Sequence, residues 1–326
     1  MTERKRGHLT EEERDMISIL HAELKSRTEI ARVLGRHKST ISRELRRKEA
    51  KFFKGIYLGS QTHRNVKQIW AQSHHRKKLV NLEIREYVIK ALMHGWSPQL
   101  IAGRLKFKFG ISIHHETIYR FIRDEKPDLK KFLIRKRFRR KVKKQKAFRP
   151  NIPNRVDISK RPEIANQRLV FGHFEADTVL SSMQTKHAIV VLADRATRKV
   201  HIKRLVNKKA LETSSKIISI LKNYPKKLRK TITYDNGVEF CAHELVNKQL
   251  KTKSYFCTPY SAWEKGTVEN INGLIRRFFP KKTAFDLVSD AELKYVEDWI
   301  NNRPMKVLNF MTPNEMFTRL TGVAIA

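Results

Sequence analysis

Two apolar, strand-like runs each carry an acidic residue where a core strand should carry none, and this limits the folds open to the chain more than any other feature. Asp177 lies inside Phe174-Glu175-Ala176-Asp177-Thr178-Val179, and Asp235 closes Ile232-Thr233-Tyr234-Asp235-Asn236-Gly237. A third acid, Glu269, sits early in a helix-like stretch, Gly266-Thr267-Val268-Glu269-Asn270-Ile271-Asn272, with thirty-three residues between it and Asp235. Carboxylates that a fold brings together repel one another, and their pKa values rise unless a cation joins them. Mg²⁺ is suited to carboxylate oxygens and needs no His or Cys cage, and a pair of such ions assists in-line displacement at phosphorus. Asp177, Asp235 and Glu269 are therefore the candidate metal ligands and catalytic residues. Against this, a chain with 32 acids offers triplets by chance.

The rest of the charge is of the opposite sign. The formal net charge is +38, and residues 1–150 hold 40 Lys/Arg against 15 Asp/Glu. Such a surface attracts nucleic acid by counterion release and speeds encounter with it. There is no apolar run near 18 residues, so no membrane span is expected, and the first residues lack the apolar core of a secretory signal. The two cysteines, Cys241 and Cys257, do not assemble a four-ligand zinc site with His243 nearby, and are expected to be buried or half-buried free thiols. A reducing cytoplasm fits.

The N-terminal segment reads as three helices. Thr10-Glu11-Glu12-Glu13 has the capping-box form, and Ile17, Leu20 and Leu24 follow at helical spacing. A second helix, about 28–34, stops at Gly35, and a third spans about 38–47 with Ile41 and Leu45 inward. A tight glycine turn between the last two makes a helix-turn-helix over residues 1–48. Its outward residues Lys38, Ser39, Thr40, Ser42, Arg43, Arg46 and Arg47 are types that reach bases and phosphates from a major-groove helix. Residues 49–91 read as a helical connector. A second helix-turn-helix-like unit occupies 92–128, opened by Ser97-Pro98, with Ile118, Phe121 and Ile122 inward. Its Thr117, Tyr119 and Arg120 could face DNA, unless the helix pair serves packing or dimerisation. Residues 129–165 read as a basic linker. Positions 130–149 hold 12 Lys/Arg and no acid, including Arg139, Arg140, Lys141, Lys143 and Lys144, a phosphate-tracking composition.

From about 166 the pattern turns to α/β. Three successive strands, about 171–180, 188–193 and 200–205, precede a helix at 209–223 with Leu211, Ile217, Ile218 and Leu221 available to the core. Strands at 231–234 and 253–257 and helices at 264–279 and 290–301 follow. Three strands in meander followed by alternating helix and strand is the chain order of a ribonuclease-H-like fold. The expected molecule is multidomain: an all-α helix-turn-helix region, then an α/β catalytic domain over 166–326. Within it, Glu175 shares a strand face with Asp177 and could touch metal or an adjacent Lys/Arg. Glu264 is the rival third ligand, and Glu239 reads as a local salt-bridge partner. His173, Trp263 and Asn270 suit DNA positioning or packing equally. Arg276, Arg277, Lys281 and Lys282 follow Glu269 and could hold phosphates.

The surroundings of the three acids resemble those of DDE transposases and retroviral-type integrases. The resemblance rests on Gly172-His173-Phe174-Glu175-Ala176-Asp177-Thr178, on Tyr234-Asp235-Asn236-Gly237-Val238-Glu239-Phe240, and on the run from Pro259 to Arg276 that contains Trp263-Glu264-Lys265-Gly266-Thr267-Val268-Glu269-Asn270. More closely, the chain is similar to bacterial insertion-sequence transposases of family thirty. The helix-turn-helix matches at Leu34-Gly35-Arg36-His37-Lys38-Ser39-Thr40-Ile41-Ser42-Arg43-Glu44-Leu45, the linker at Ile152-Pro153-Asn154-Arg155, and the C-terminal end at Asn302-Arg303-Pro304 and Thr312-Pro313. Phe174 stands where the family more often has Trp, Ala176 where it has Gly, and Lys38 where Pro often opens the recognition helix. The resemblance implies a Mg²⁺-dependent enzyme with two ions, Mn²⁺ substituting. It also implies binding of terminal inverted repeats and target DNA as double strands, cleavage and strand transfer, and a homodimer or larger synaptic assembly. A helix-turn-helix regulator with a vestigial catalytic fold, or a nuclease that cuts without joining, are the alternatives.

Overall fold

The computed structural model describes residues 7–47, 51–52, 56–74, 79, 81–133, 152–181, 185–259 and 261–323. The chain divides into two compact units, Met1–Val80 and Asn81–Ala326.

In the first unit α1 (Glu11–Ala22), α2 (Arg27–Leu34) and α3 (Lys38–Leu45) precede a two-residue antiparallel pair, β1 (Lys51–Phe52) and β2 (Ile56–Tyr57), and then α4 (Gly59–His74). Thr10 and Glu13 form the capping box at the start of α1, and Ser26 and Glu29 form another at α2. Gly35 takes the left-handed conformation that ends α2 and lets α3 turn away. Leu24 departs from expectation: α1 ends at Ala22, and Leu24, with φ of 61°, is 92% exposed. The apolar core is small, with Leu9, Ile17, Ile30, Ala31, Ile41 and Tyr57 at its centre. Buried ion pairs supplement it. Arg36, at the α2–α3 turn, meets Glu13 of α1 at 2.8 Å, and Arg14 of α1 meets Glu44 of α3 at 2.7 Å. Gly59 opens α4 flush against the Arg14 backbone, where a Cβ would overlap it.

The second unit starts with α5 (Leu82–Met93), α6 (Pro98–Phe109) and α7 (His115–Asp124), followed by α8 (Glu163–Gln167). Ser97 caps α6, and Gly110 closes it in the left-handed conformation. The α5–α7 segment packs on the C-terminal part of its own unit. Gly103 on α6 lies against the Phe310 ring, where a Cβ would overlap it. Arg104 donates to the Phe310 carbonyl at 2.9 Å and pairs with both Glu315 oxygens. The Trp299 indole donates to the His94 carbonyl at 2.9 Å.

The sheet contains β3 (His173–Leu180), β4 (Ala188–Asp194), β5 (Val200–Leu205), β6 (Thr231–Tyr234) and β7 (Lys253–Phe256), in the order β5-β4-β3-β6-β7. β3, β4 and β5 pair antiparallel, whereas β6 and β7 run parallel to β3. This is the ribonuclease-H-like topology, with β3 at its centre. α9 (Ala210–Leu221) and α10 (His243–Leu250) cover one face with Phe174, Ala176, Val190 and Ile232 beneath them. α11 (Gly266–Phe278) and α12 (Asp290–Asn301) cover the other over Val179, Val191, Ala193 and Ile202, and α13 (Pro313–Thr321) follows. β4 is buried along its whole length, as its continuous apolar run requires. The α9 face is rotated from expectation, with Leu211 70% exposed while Ile217 and Leu221 enter the core.

Along β3 the period of two sends Phe174 and Ala176 to the α9 side. Glu175 and Asp177 are therefore on the α11 side. The β5 edge is closed by α12 side chains. Asn301 bonds both the N–H and the C=O of Val200 at 2.9 Å, and Glu297 accepts the Ile202 N–H at 2.7 Å. A sheet edge stopped in this way cannot recruit another strand. Among the described residues no helix is long and apolar enough to cross a membrane.

Removing one partner of a buried ion pair leaves the other charge uncompensated, at a cost of about 3–5 kcal/mol. Glu44→Ala should therefore lower the unfolding free energy of the N-terminal unit by that amount, measured by urea titration. A change below 1 kcal/mol would show that the pair with Arg14 does not hold α3 to α1.

Candidate active site

Asp177 projects from the middle of β3, opposite Val191 of β4. Asp235 follows directly on β6, the parallel neighbour of β3, and accepts the Gly237 N–H at 3.1 Å, which turns the loop. Between the two carboxylates lies one ammonium group. Lys265 Nζ is 3.2 Å from Asp177 Oδ1 and 3.4 Å from Asp235 Oδ2, and it also donates to the Ala176 carbonyl at 3.1 Å. Asn272, on α11, donates to the other Asp177 oxygen at 2.7 Å. Burial raises the Asp177 pKa, Lys265 offsets part of that rise, and Asp235 adds to it. Burial works against the Lys265 charge, but Asp177 and Asp235 outweigh it and its pKa lies above the ordinary lysine value.

Glu269 occupies the first turn of α11, one turn beyond Lys265, and is exposed. The fold thus joins Asp177 to Asp235 through one cation and leaves the Glu269 carboxylate, on the exposed side of the first turn of α11, without a hydrogen bond or ion pair among the described residues. No group of three His, Cys, Asp or Glu side chains there is arranged to hold a metal ion. The donor set nonetheless fits a hard cation. Two carboxylates already share a positive charge, and the buried Asn272 Oδ1 has no hydrogen-bond donor among the described residues.

The other acids have separate tasks. Glu175 is fully buried; its Oε1 takes a hydrogen bond from Arg195 at 2.5 Å and its Oε2 accepts the Val268 N–H at 2.9 Å. Val268 is the third residue of α11, and the helix's own N-cap, Lys265, supplies no side-chain acceptor. Glu175 fills that role from the neighbouring strand. Of the two roles open to it, the Arg pairing is the one seen. Glu264 accepts from the Thr258 N–H and hydroxyl at 2.8 and 3.0 Å. Glu239 pairs with Lys208 at 2.8 Å and accepts from Thr178 at 2.7 Å. Asn236 is fixed by Arg155 at 2.9 Å and by the Cys257 carbonyl at 2.8 Å. Both cysteines are free thiols, Cys257 buried with its pKa pushed up to about 12 and Cys241 half-buried.

Of the candidate DNA contacts, Lys38, Arg43 and Arg46 are exposed on α3, with Ser39, Thr40, Ser42 and Arg47 partly so. Arg43 bonds back to Ser39, and Arg47 pairs with Glu44 at 3.1 Å. On α7, Tyr119 and Arg120 are exposed and Thr117 is half-buried. Arg276 donates to the Leu180 carbonyl at 2.8 Å, and Arg277 stacks on Trp299 with a bond to the Gly95 carbonyl. Arg139, Arg140, Lys141, Lys143 and Lys144 lie outside the described residues. The sequence reading did not single out Lys265, Asn272 or Arg195. One more lysine or arginine in so basic a chain carries no mark of its own.

An N-terminal helix-turn-helix followed by a ribonuclease-H-like sheet, with Asp177 and Asp235 at its central strands, is the architecture of a DNA enzyme of the DDE transposase and integrase class. The helix-turn-helix domain family matches residues 5–48. The chain is 40% identical to the transposase for insertion sequence element IS4351 of Bacteroides fragilis, over 96% of each chain. It is 34% identical to the transposase InsI for insertion sequence element IS30A of Escherichia coli (strain K12), over 99% of this chain and 86% of that one. The chain belongs to the IS30 family of insertion-sequence transposases. Family membership points to a divalent metal cofactor, and the helix-turn-helix domain to DNA binding. The catalytic core domain of BIV integrase superposes with a TM-score of 0.35 at 19% identity, covering 45% of this chain and 93% of that one, a likeness too loose to add to the assignment.

His173, at the base of β3, is buried against Thr231 at 2.8 Å, and burial, with Lys230, Arg195 and Arg161 nearby, lowers its pKa from the ordinary imidazole 6.5 to about 4. The imidazole stays neutral in the folded protein while the unfolded chain takes up a proton below 6.5. Its contribution to stability is whole above that pH and is lost as pH falls toward 4. Stability measured at pH 7 and pH 5 should therefore drop more in the wild type than in His173→Gln. Equal drops would show that this imidazole does not stay neutral.

Proposed function

We propose that the chain binds the terminal inverted repeats of its insertion sequence through α3, and that Asp177, Asp235 and Glu269 carry Mg²⁺-dependent cleavage and strand transfer at the element ends. The observation that carries this reading is the pair of aspartates sharing one cation beside the helix that bears Glu269. Two Mg²⁺ ions held by the three carboxylates, with Mn²⁺ as a substitute, would supply charge stabilisation for in-line displacement at phosphorus. Water first attacks the phosphodiester at the element end, breaking the bond to the 3′-oxygen and leaving a 3′-OH. That hydroxyl then attacks a target phosphodiester and expels the target's own 3′-oxygen, so no covalent protein–DNA intermediate forms.

The chain's side chains orient and exclude. Asn272 fixes the rotamer of Asp177, and Glu175 holds the first turn of α11 against β3. Thr117, Tyr119 and Arg120 on α7 and the basic segment that includes Arg139, Arg140, Lys141, Lys143 and Lys144 would follow phosphates without reading sequence. Arg276 and Arg277 would do so only by giving up their present partners. Two ends must meet for joining, so the working form would be a homodimer or a larger synaptic assembly.

Asp177→Asn, Asp235→Asn and Glu269→Gln should each abolish Mg²⁺-dependent cleavage and strand transfer of a precut end, with gel-shift affinity for repeat DNA nearly unchanged. Glu264→Gln should keep measurable activity. Robust joining by any of the first three variants removes that residue from the site.

Arg43 is exposed on the outward face of α3, and its bonds to Ser39 can be exchanged for bonds to a base. Arg43→Ala should weaken binding to the inverted repeat by about 1–3 kcal/mol and narrow its margin over random DNA. Equal losses on both DNAs would mark a phosphate contact instead.

A further inference from the structure

Lys265 is the least explained residue of the site. It is 7% exposed and lies in the turn that leads into α11. An ammonium group has three donors, and Lys265 Nζ has an oxygen partner for each: Asp177, Asp235 and the Ala176 carbonyl. A divalent ion bound by the same two aspartates at about 2.0–2.1 Å would need the same lone pairs and the same space. Two like charges cannot share that position, so the ammonium group and the ion exclude each other.

We infer that Lys265 is an internal counter-ion which holds Asp177 and Asp235 in ligand register and is displaced from between them when a divalent ion enters. The inference rests on the reading of those aspartates as metal ligands and deepens it. The lysine offsets the repulsion of the two carboxylates and keeps their strand ends together. Its single charge makes it a placeholder that a divalent ion can outcompete. Lys265 is in this sense a positioning residue.

The first test uses wild-type, DNA-free protein and an amine-acylating reagent read out by peptide mass spectrometry. Lys265 should react slowly without metal and about tenfold faster at saturating Mg²⁺, the factor expected when charged hydrogen bonds of ordinary strength are released. In the Asp177→Asn/Asp235→Asn double variant it should react fast with or without Mg²⁺. The second test is calorimetric: Lys265→Met should bind Mg²⁺ about tenfold more tightly than wild type, with a lower melting temperature that Mg²⁺ restores. If Lys265→Met does not fold, the wild-type labelling decides alone. Labelling unmoved by Mg²⁺, in a protein whose Mg²⁺ binding is lost in the double variant, overturns the counter-ion role and leaves the metal site standing. So does a Lys265→Met protein that binds Mg²⁺ no more tightly. Mg²⁺ binding that survives in the double variant overturns the metal-site reading itself, and the inference with it.

Discussion

The Glu175 carboxylate is the interaction on which the site's geometry hangs. It is fully buried on the central strand and reaches two elements at once, the Arg195 guanidinium and the Val268 N–H of α11. Arg195 in turn donates to the Ala165 carbonyl at 2.9 Å, which ties α8 to the same point. A buried charge is tolerable only when paired and fully hydrogen-bonded, and here the pairing also fixes distances. Asp177 is two residues from Glu175 along β3, and Glu269 is one residue from Val268 along α11. The strand acid and the helix acid are therefore each held within two residues of one carboxylate.

The same economy recurs across a chain of formal charge +38. Acids are scarce, and the buried ones have specific partners. Glu13 takes Arg36, Glu44 takes Arg14 and Glu239 takes Lys208, while the partly exposed Glu315 takes the buried Arg104. Several of them also cap a helix or stop a strand edge, as Glu13, Glu297 and Glu315 do. Asp177 and Asp235 are the contrast. Two carboxylates share one lysine, so the site has more negative charge than its own cation neutralises. On the proposed reading Glu269 adds to that excess, and a divalent ion would complete the balance.

Much of this was legible because it repeats locally. Helical spacing and capping residues gave α1, α2, α3 and α6, and the apolar runs gave β3, β4 and β5 within a residue or two. Asp177, Asp235 and Glu269 stood out because their neighbours form recognisable motifs. What escaped depends on contacts distant in sequence. α8 and α10 are short and weakly apolar, and packing rather than periodicity makes them helical. Leu24 and Leu211 fit a helical stripe, but α1 ends before Leu24, and Leu211 is on the outer face of α9. Glu175 could be narrowed to a metal or a basic partner from its strand face; choosing between them needed the position of Arg195, twenty residues away. Nothing local marks Lys265 as the residue whose ammonium lies between the two aspartates.

The fate of the basic residues after Glu269 follows the same logic. On sequence, Arg276 and Arg277 read as phosphate ligands, being cations in the last turn of the helix that carries the candidate acid Glu269. In the folded unit Arg276 caps the end of β3 through the Leu180 carbonyl, and Arg277 lies over Trp299 beside Gly95. Trp299 also bonds the His94 carbonyl, so the α5–α6 turn, α11 and α12 meet at one aromatic ring. A phosphate would have to compete with a cation–π contact and a carbonyl at Arg277. Exposed cations such as Lys38, Arg43, Arg46 and Arg120 have less to give up. The cost of releasing a side chain from its present partners, more than its charge, separates the cations that build this fold from those left free for DNA.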